Sequence, residues 1–369
     1  MKAAAESGVI PELAAGRHKL ERQVVEIGII SFTEKGKDLA QKAAYALERA
    51  GHSCDITPWE KGMSLSGWAE RQWQSREGLL FIGAAGIAVR TIAPFLRDKF
   101  TDPAVVVMDE KGRFAIPLVS GHVGGANALA MTLGQILGST PVITTATDVN
   151  GVFAVDIFAK ENRLHLSDRF LAKQISADLL AGRPVGWRAD WGSFPMPEGF
   201  VMACGDQDAG EGHTYGEGEK VPEGPGTAVW ITVSSRERPG WLKLIPKAVI
   251  VGMGCRKDIP FQSLSQAVDQ MLADHHISGQ AVFGVATIDR KAGEPAVAEL
   301  IKSRNWNLLS YTAEELEKAP GVFPESEFVR KTVGTGNVCQ RAALLSGGRL
   351  LAEKTRFPGI TIALALWEN

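Results

Sequence analysis

From residue 24 onward the chain alternates short β-rich apolar runs with stretches whose apolar residues recur at helical spacing, which confines it to an α/β architecture. "VVEIGIISF" reads as a strand, and "KGKDLAQKAAYALERAG" then sets Leu39, Ala40, Ala43, Ala44 and Leu47 on one helical face before a glycine stop. "HSCDITPW" continues as a strand, "LSGWAERQWQSREG" as a helix, "GLLFIG" as a buried strand and "AAGIAVRTIAPFLRDK" as a helix opened by glycine. "PAVVVMDEKGRFAIPLVS" breaks this rhythm, because two β-rich runs flank the polar turn "DEKGR"; that predicts a hairpin and hence a mixed sheet. The helix "GGANALAMTLGQILG" and the strand "TPVITTATD" follow, and "VNG" at 149–151 marks an expected domain end.

The middle of the chain is less regular. Residues 153–185 read as helical, whereas 186–227 are rich in Gly, Pro and acidic side chains, and "GDQDAGEGHTYGEGEKVPEGPG" has almost nothing to bury. After the strand "TAVWITVSS", alternation returns with "KAVIVGMGCRKDIP" as strand and glycine turn, then the helix "FQSLSQAVDQMLADHH", the strand "AVFGVATI" and the helix "EPAVAELIKSRN". "NLLSYT", "AEELEKA" and "GTGNVCQRAALLSGG" extend it, and "RLLAEKTRFPGITIALALW" closes it as a pair of strands. The fold class expected is therefore α/β in three parts after a flexible tail (1–23). These are a mixed-sheet, three-layer domain (24–151), a small α/β middle region with a Gly/Pro/acidic loop (152–245, loop 203–227), and a second α/β domain (246–369).

Charge and composition exclude some functions. A formal net charge of −2 argues against a chain dedicated to nucleic acid or to a membrane surface, both of which call for a basic excess. The first residues lack the apolar core of a signal peptide and no later segment is apolar long enough to span a bilayer, so a cytoplasmic protein is expected. Cys54, Cys204, Cys255 and Cys339 show no metal-ligand or redox spacing and read as scattered thiols.

Three segments share one plan of strand, glycine turn and helix start: "FIGAAGIAVR", "LVSGHVGGANALA" and "VGMGCRKD", with "TVGTGNVCQRAAL" as a fourth. Glycine lets backbone approach a ligand, and the amides and dipole of a helix start favour an anion, so these turns could converge on one carboxylate- or phosphate-bearing ligand. Equally, the glycines serve tight strand-to-helix turns, and no nucleotide phosphate motif is present. The candidate binding residues are Gly83, Gly86, Arg90, Lys99, Gly121, Gly124, Gly125, Asn127, Gly254, Lys257, Gly334 and Gly336. His122, beside Ser120 in the richest turn, is the candidate for proton transfer because imidazole titrates near ~6.5; its alternative is to cap the turn. Arg113, Arg256 and Lys354 add cations near the turns, and Asp109 and Glu110 at the hairpin are candidate acids or bases. Cys255 has a structural reading and a reactive one, while His275 and His276 read as helix-end residues and His18, His52 and His213 as surface ones.

The stretch "FIGAAGIAVRTIAPFLRDKFTDPAVVVMDEKGRFAIPLVSGHVGGANALA" closely resembles the signature of the CbiG family of cobalamin biosynthesis. The resemblance extends to "SFTEKGKDLA", "VGMGCRKDIP", "ATIDRKAGEPAVAEL", "GTGNVCQRAALL" and "AEKT", leaving only the tail and the middle loop without support. Asp258 stands where the family pattern suggests glycine, and Gln340 where an acidic residue is usual.

That resemblance implies a cobalt-precorrin-5A hydrolase, which opens a lactone on a polycarboxylated, cobalt-containing tetrapyrrole and releases acetaldehyde, with water as co-substrate. The cobalt is carried by the substrate, so the implied protein holds no metal or cofactor of its own. On this reading His122 and Ser120 are catalytic, with Gly124 and Gly125 amides as oxyanion donors, and Arg90, Lys99 and Lys257 hold carboxylates. Neighbouring enzymes of the corrin pathway and a second copy of the chain are the partners to be considered; nucleic acid and membrane are not. A non-catalytic corrinoid carrier is the alternative from another functional class.

Overall fold

The computed structural model describes residues 25–98, 101–203 and 226–367, so the expected tail (1–23), Lys99, Cys204, His18, His213 and nearly all of the Gly/Pro/acidic loop lie outside the described residues. The chain divides into two units, the break falling after Ile157.

The first unit is a six-stranded sheet of order β2-β1-β3-β4-β5-β6, built from β1 (Glu26–Ser31), β2 (Ser53–Pro58), β3 (Gly78–Ile82), β4 (Ala104–Met108), β5 (Phe114–Val119) and β6 (Thr140–Pro141). Its first four strands are parallel, β5 runs antiparallel to β4, and β6 is parallel to β5, which is the mixed sheet expected from the "DEKGR" hairpin. Helices α1 (Glu34–Arg49), α2 (Leu65–Ser75), α3 (Ala85–Ile92) and α4 (Ala126–Leu137) cover both faces. Ala40, Ala43, Leu47, Ala126, Ala130 and Leu133 of α1 and α4 pack on Ile27, Ile29, Leu80 and Val106. Trp68, Ala88 and Ile92 of α2 and α3 pack on Ile30, Leu79, Phe81 and Val105 from the other side. Continuous apolar strands buried on both faces are what a mainly parallel, three-layer sheet requires.

The stretch 140–148 departs from the strand expected there. Only Thr140–Pro141 pair with β5, and the backbone then leaves the sheet for α5 (Ala146–Val149). Thr140 N–H and Val142 N–H donate to the Arg113 and Ala115 carbonyls, and Pro141, whose missing N–H would face away from β5, is tolerated because β6 is the edge strand. Helix α6 (Val155–Glu161) spans the break between units.

The second unit holds two sheets. One has the order β7-β11-β10-β8-β9, from β7 (Leu164–Leu166), β8 (Val185–Ala189), β9 (Phe200–Met202), β10 (Ala228–Ile231) and β11 (Trp241–Pro246), with α7 (Arg169–Leu180) after β7. Of these strands only β10 is legible in the sequence; β7, β8 and β9 fall in segments that read as helical or as loop, and β11 in a stretch to which the sequence reading gives no element. Aromatic packing holds them instead, with Trp187 edge-on to Phe158 and Phe200 at 5.5 and 5.2 Å between centroids.

The other sheet, of order β14-β13-β12-β16-β15, comprises β12 (Val249–Cys255), β13 (Val282–Ile288), β14 (Asn307–Tyr311), β15 (Arg349–Phe357) and β16 (Ile360–Leu366). The last two are the antiparallel closing pair expected. Helices α8 (Phe261–Asp274), α9 (Asp289–Ala292) and α10 (Pro295–Arg304) follow β12 and β13, and α11 (Ala313–Glu317), α12 (Glu327–Val333) and α13 (Val338–Gly347) follow β14. Leu264, Val268, Val297 and Leu300 fill one face of the sheet, and Leu316, Cys339, Ala342 and Ala343 the other. His275 caps α8, as a helix-end histidine should, whereas His52 is half-buried rather than a surface residue. Among the described residues no helix is long and apolar enough to cross a membrane.

Contact between α13 and β12 leaves no room for a side chain at Gly252, where a Cβ would meet the Cys339 carbonyl oxygen at 2.0 Å and the Ala343 methyl at 2.6 Å. Gly252→Ala should therefore cost on the order of 1–3 kcal/mol, seen as a lower urea midpoint at unchanged slope. A midpoint equal to that of the unsubstituted chain would mean that α13 does not seat on β12 in this way.

Candidate functional site

Because β5 reverses, its carboxyl end does not point where those of β1 to β4 point. Val105, near the start of β4, pairs with Val119, whereas Ile82 pairs with Met108 at its end. The His122 turn therefore lies at one edge of the sheet and Gly83, with α3 behind it, at the opposite edge. Most of the length of β4, roughly 13 Å at 3.3 Å per residue, separates them. The expected convergence of these two glycine turns on one ligand does not occur. Gly83 packs under Phe32, and Arg90 at the last turn of α3 folds back to within 3.6 Å of the Cβ position of Gly86.

Residues 120–125 form a tight, internally bonded turn. Ser120 sits at φ 57° and Gly125 at φ 94°, while a Cβ on Gly124 would lie 2.2 Å from that of Ser120. The carbonyls of Ser120, Gly121 and His122 accept the amides of Ala126, Asn127 and Gly125 at 3.1, 2.9 and 2.9 Å. The Gly125 amide is therefore committed to the turn and is not the free oxyanion donor expected of it; the Gly124 amide has no acceptor among the described residues. Ser120 is buried and its hydroxyl has no hydrogen-bond partner, so the structure does not join it to His122.

What His122 does meet comes from α5 and α6. Its Nε2 lies 2.7 Å from Asp148 Oδ2 and 2.9 Å from Thr147 Oγ1, and its Nδ1 faces Asp156 Oδ1 at 3.8 Å. At 3.8 Å Asp156 is an ion-pair contact, so the directional anchor is the short bond to Asp148. Asn127 on α4 steadies that carboxylate, donating from Nδ2 to Asp148 Oδ2 at 2.7 Å and to Thr145 Oγ1 at 3.1 Å. Bonding to Asp156, opposed by partial burial and reinforced by the charges of Asp148 and Asp156, holds His122 above the usual imidazole range. Thr147, Asp148 and Asp156 have no counterpart among the sequence candidates. Asp148 falls in the stretch read as strand, and Asp156 in an unpunctuated helical segment.

The remaining candidates serve structure in ways the sequence left open. Gly254 lies within β12 opposite Thr361, not in a turn, and its Cβ position is 3.8 Å from Val338, so "VGMGC" and "GTGNVC" are two halves of one packing contact. Lys257 is exposed; Gly334 ends α12 at φ 92°, and Gly336 abuts Glu325. Asp258 adopts φ 56°, which accounts for a glycine being usual there. Gln340 is buried, accepting from Asn337 Nδ2 at 2.6 Å at the start of α13. Burial raises the pKa of Cys255, the reverse of an activated thiol. Asp109 accepts the amides of Lys111, Arg113 and Phe114; despite the opposing effect of its burial, these keep its carboxyl below the usual range, as a turn residue. Among the described residues no cluster of three or more His, Cys, Asp or Glu side chains is arranged to hold a metal ion.

A histidine pKa raised by folding stabilises the protein fully below its unfolded value of about 6.5, and that contribution is lost as pH rises through the higher folded value. The stability advantage of the unsubstituted chain over His122→Ala should accordingly shrink as pH rises above the ordinary imidazole value of about 6.5. A pH-independent difference in unfolding midpoint would contradict the clamp.

Residues 67–148 match the cobalamin synthesis G N-terminal family and residues 249–365 the cobalamin synthesis G C-terminus family. A cobalt-precorrin-5A hydrolase of Salmonella typhimurium is 36% identical over 356 residues, which cover 92% of this chain and 97% of that protein. A cobalt-precorrin-5A hydrolase of Priestia megaterium is 30% identical over 312 residues, covering 80% of this chain and 79% of its own. The solved structure of a cobalamin biosynthesis protein G homologue from Sulfolobus solfataricus covers 93% of this chain and 97% of its own at 21% identity and a TM-score of 0.40. With both family regions in order and a relative this similar along nearly its whole length, the chain belongs to the cobalamin synthesis G (CbiG) family.

Proposed function

We propose that this chain is a cobalt-precorrin-5A hydrolase, which uses water to open the substrate's lactone and releases acetaldehyde to leave cobalt-precorrin-5B. The observation that carries the proposal is the 36% identity to the Salmonella protein of that name, spread over 92% of this chain rather than confined to one domain. The cobalt enters as part of the substrate.

The edge formed by the His122 turn, α5 and α6 is the natural place for the hydrolytic step. Lactone opening requires a group that removes a proton from water and a donor for the oxygen that becomes negative as water adds. The Asp148–His122 pair is the acid–base group at hand for the first, and the Gly124 amide is a donor without a competing acceptor among the described residues. Expulsion of acetaldehyde follows once the lactone opening has freed a hydroxyl on the departing carbon.

Incubation of the purified protein with cobalt-precorrin-5A, trapping of acetaldehyde and measurement of the product mass test the reading. The unsubstituted chain should release acetaldehyde, and His122→Ala should do so about 100-fold more slowly or worse while still binding substrate. Tight binding without release by the unsubstituted chain would instead make it a carrier.

A further inference from the structure

His122 has no ring nitrogen left to offer a substrate. Nε2 is turned to Asp148 and Thr147, Nδ1 faces Asp156, and the side chain is 12% exposed. Asp148 is arranged in the opposite way. Its bonds from His122 Nε2 and Asn127 Nδ2, both at 2.7 Å, fall on the same oxygen, Oδ2. Oδ1 has no hydrogen-bond partner among the described residues, and a third of the side chain is open to solvent (33%). Asp156 is enclosed again, 15% exposed, and its Oδ1 accepts the Ile157 amide at 3.0 Å. The three groups thus form a row from enclosed to open: carboxylate, imidazole, carboxylate, with one free oxygen at the outer end.

Resting on the hydrolase reading, we infer that Asp148, not His122, takes the proton of the hydrolytic water through Oδ1, and that His122, gripped from behind by Asp156, is a positioning residue that fixes Oδ2. In this step the water oxygen bonds to the lactone carbonyl carbon and its proton passes to Asp148. The carbon–oxygen bond to the ring alkoxide then breaks, and Asp148 returns the same proton to that alkoxide. The protein ends as it began, and nothing is oxidised or reduced. His122 stays an imidazolium throughout, because each of its nitrogens faces a negative oxygen and a neutral ring would set a lone pair against one of them. The charged groups that face it are Asp148 from α5 and Asp156 from α6; Thr147 and Asn127 complete the shell as neutral partners.

Four variants separate the roles. Asp148→Asn keeps the shape but removes the base, and should lower kcat by about 100-fold or more with substrate affinity changed only a few-fold; Asp148→Glu should recover part of the rate. His122→Gln should be milder, lowering kcat with little change in KM. In the free protein, 15N spectra should show both His122 nitrogens protonated at neutral pH, and Asp156→Asn should shift that titration downward. Near-wild-type kcat in Asp148→Asn, a His122→Gln loss larger than that of Asp148→Asn, or a neutral His122 ring at pH 7 would each overturn the assignment. A silent unsubstituted protein would overturn the hydrolase reading and the assignment with it, so the two failures are told apart.

Discussion

The antiparallel pairing of β4 with β5 decides where chemistry can occur in the first unit. Had the strand after "DEKGR" crossed over and run parallel, the His122 turn would share an edge with Gly83 and the start of α3. A five-residue polar turn cannot make a parallel crossover, which needs a dozen residues or more, so the strand must return beside its neighbour and deliver its carboxyl end to the other edge. The chain that leaves the short edge strand β6 runs to the same edge and supplies Thr147 and Asp148 to the imidazole.

Two glycine effects, distinct in kind, hold this arrangement. Gly125 is needed for its left-handed backbone conformation, which lets α4 start immediately behind the turn, and Gly124 for its lack of a side chain, since Ser120 occupies the space where one would be. Three amides of the helix start are consumed by carbonyls of the turn itself. A glycine-rich helix start is thus a weaker anion site than its composition suggests, and the charge at this edge comes from side chains. His122 bears the consequence: carboxylates on both sides favour its cationic form, tying the turn to Asp148 of α5 and Asp156 of α6, while Asp148 Oδ1 has no hydrogen-bond partner among the described residues.

In the second unit the family motifs are explained by packing. Gly252 brings α13 onto β12, Asn337 and Gln340 bond each other at the start of that helix, and Asp258 tolerates a backbone conformation that glycine adopts more easily. The bond from Asn337 to Gln340 needs only an acceptor oxygen, which glutamate would supply as well as glutamine, so the absence of an acid at 340 removes no charge from a reactive centre.

From the sequence alone came the α/β class, the mixed sheet of the first unit, the closing hairpin and the glycine turn that holds His122. These depend on local periodicity and turn composition, which a chain displays before it folds. The small β7–β11 sheet was hidden because its strands are short and held by aromatic contacts between distant residues such as Trp187 and Phe200. The partners of His122 were hidden for a related reason: Asp148 and Asp156 lie more than twenty residues away in stretches without a motif, and an acidic side chain carries no local sign of what it will face. Only tertiary structure, by reversing β5 and ending β6 early, decided which histidine nitrogen meets which carboxylate, because pairing across a sheet edge depends on register and direction rather than on spacing along the chain.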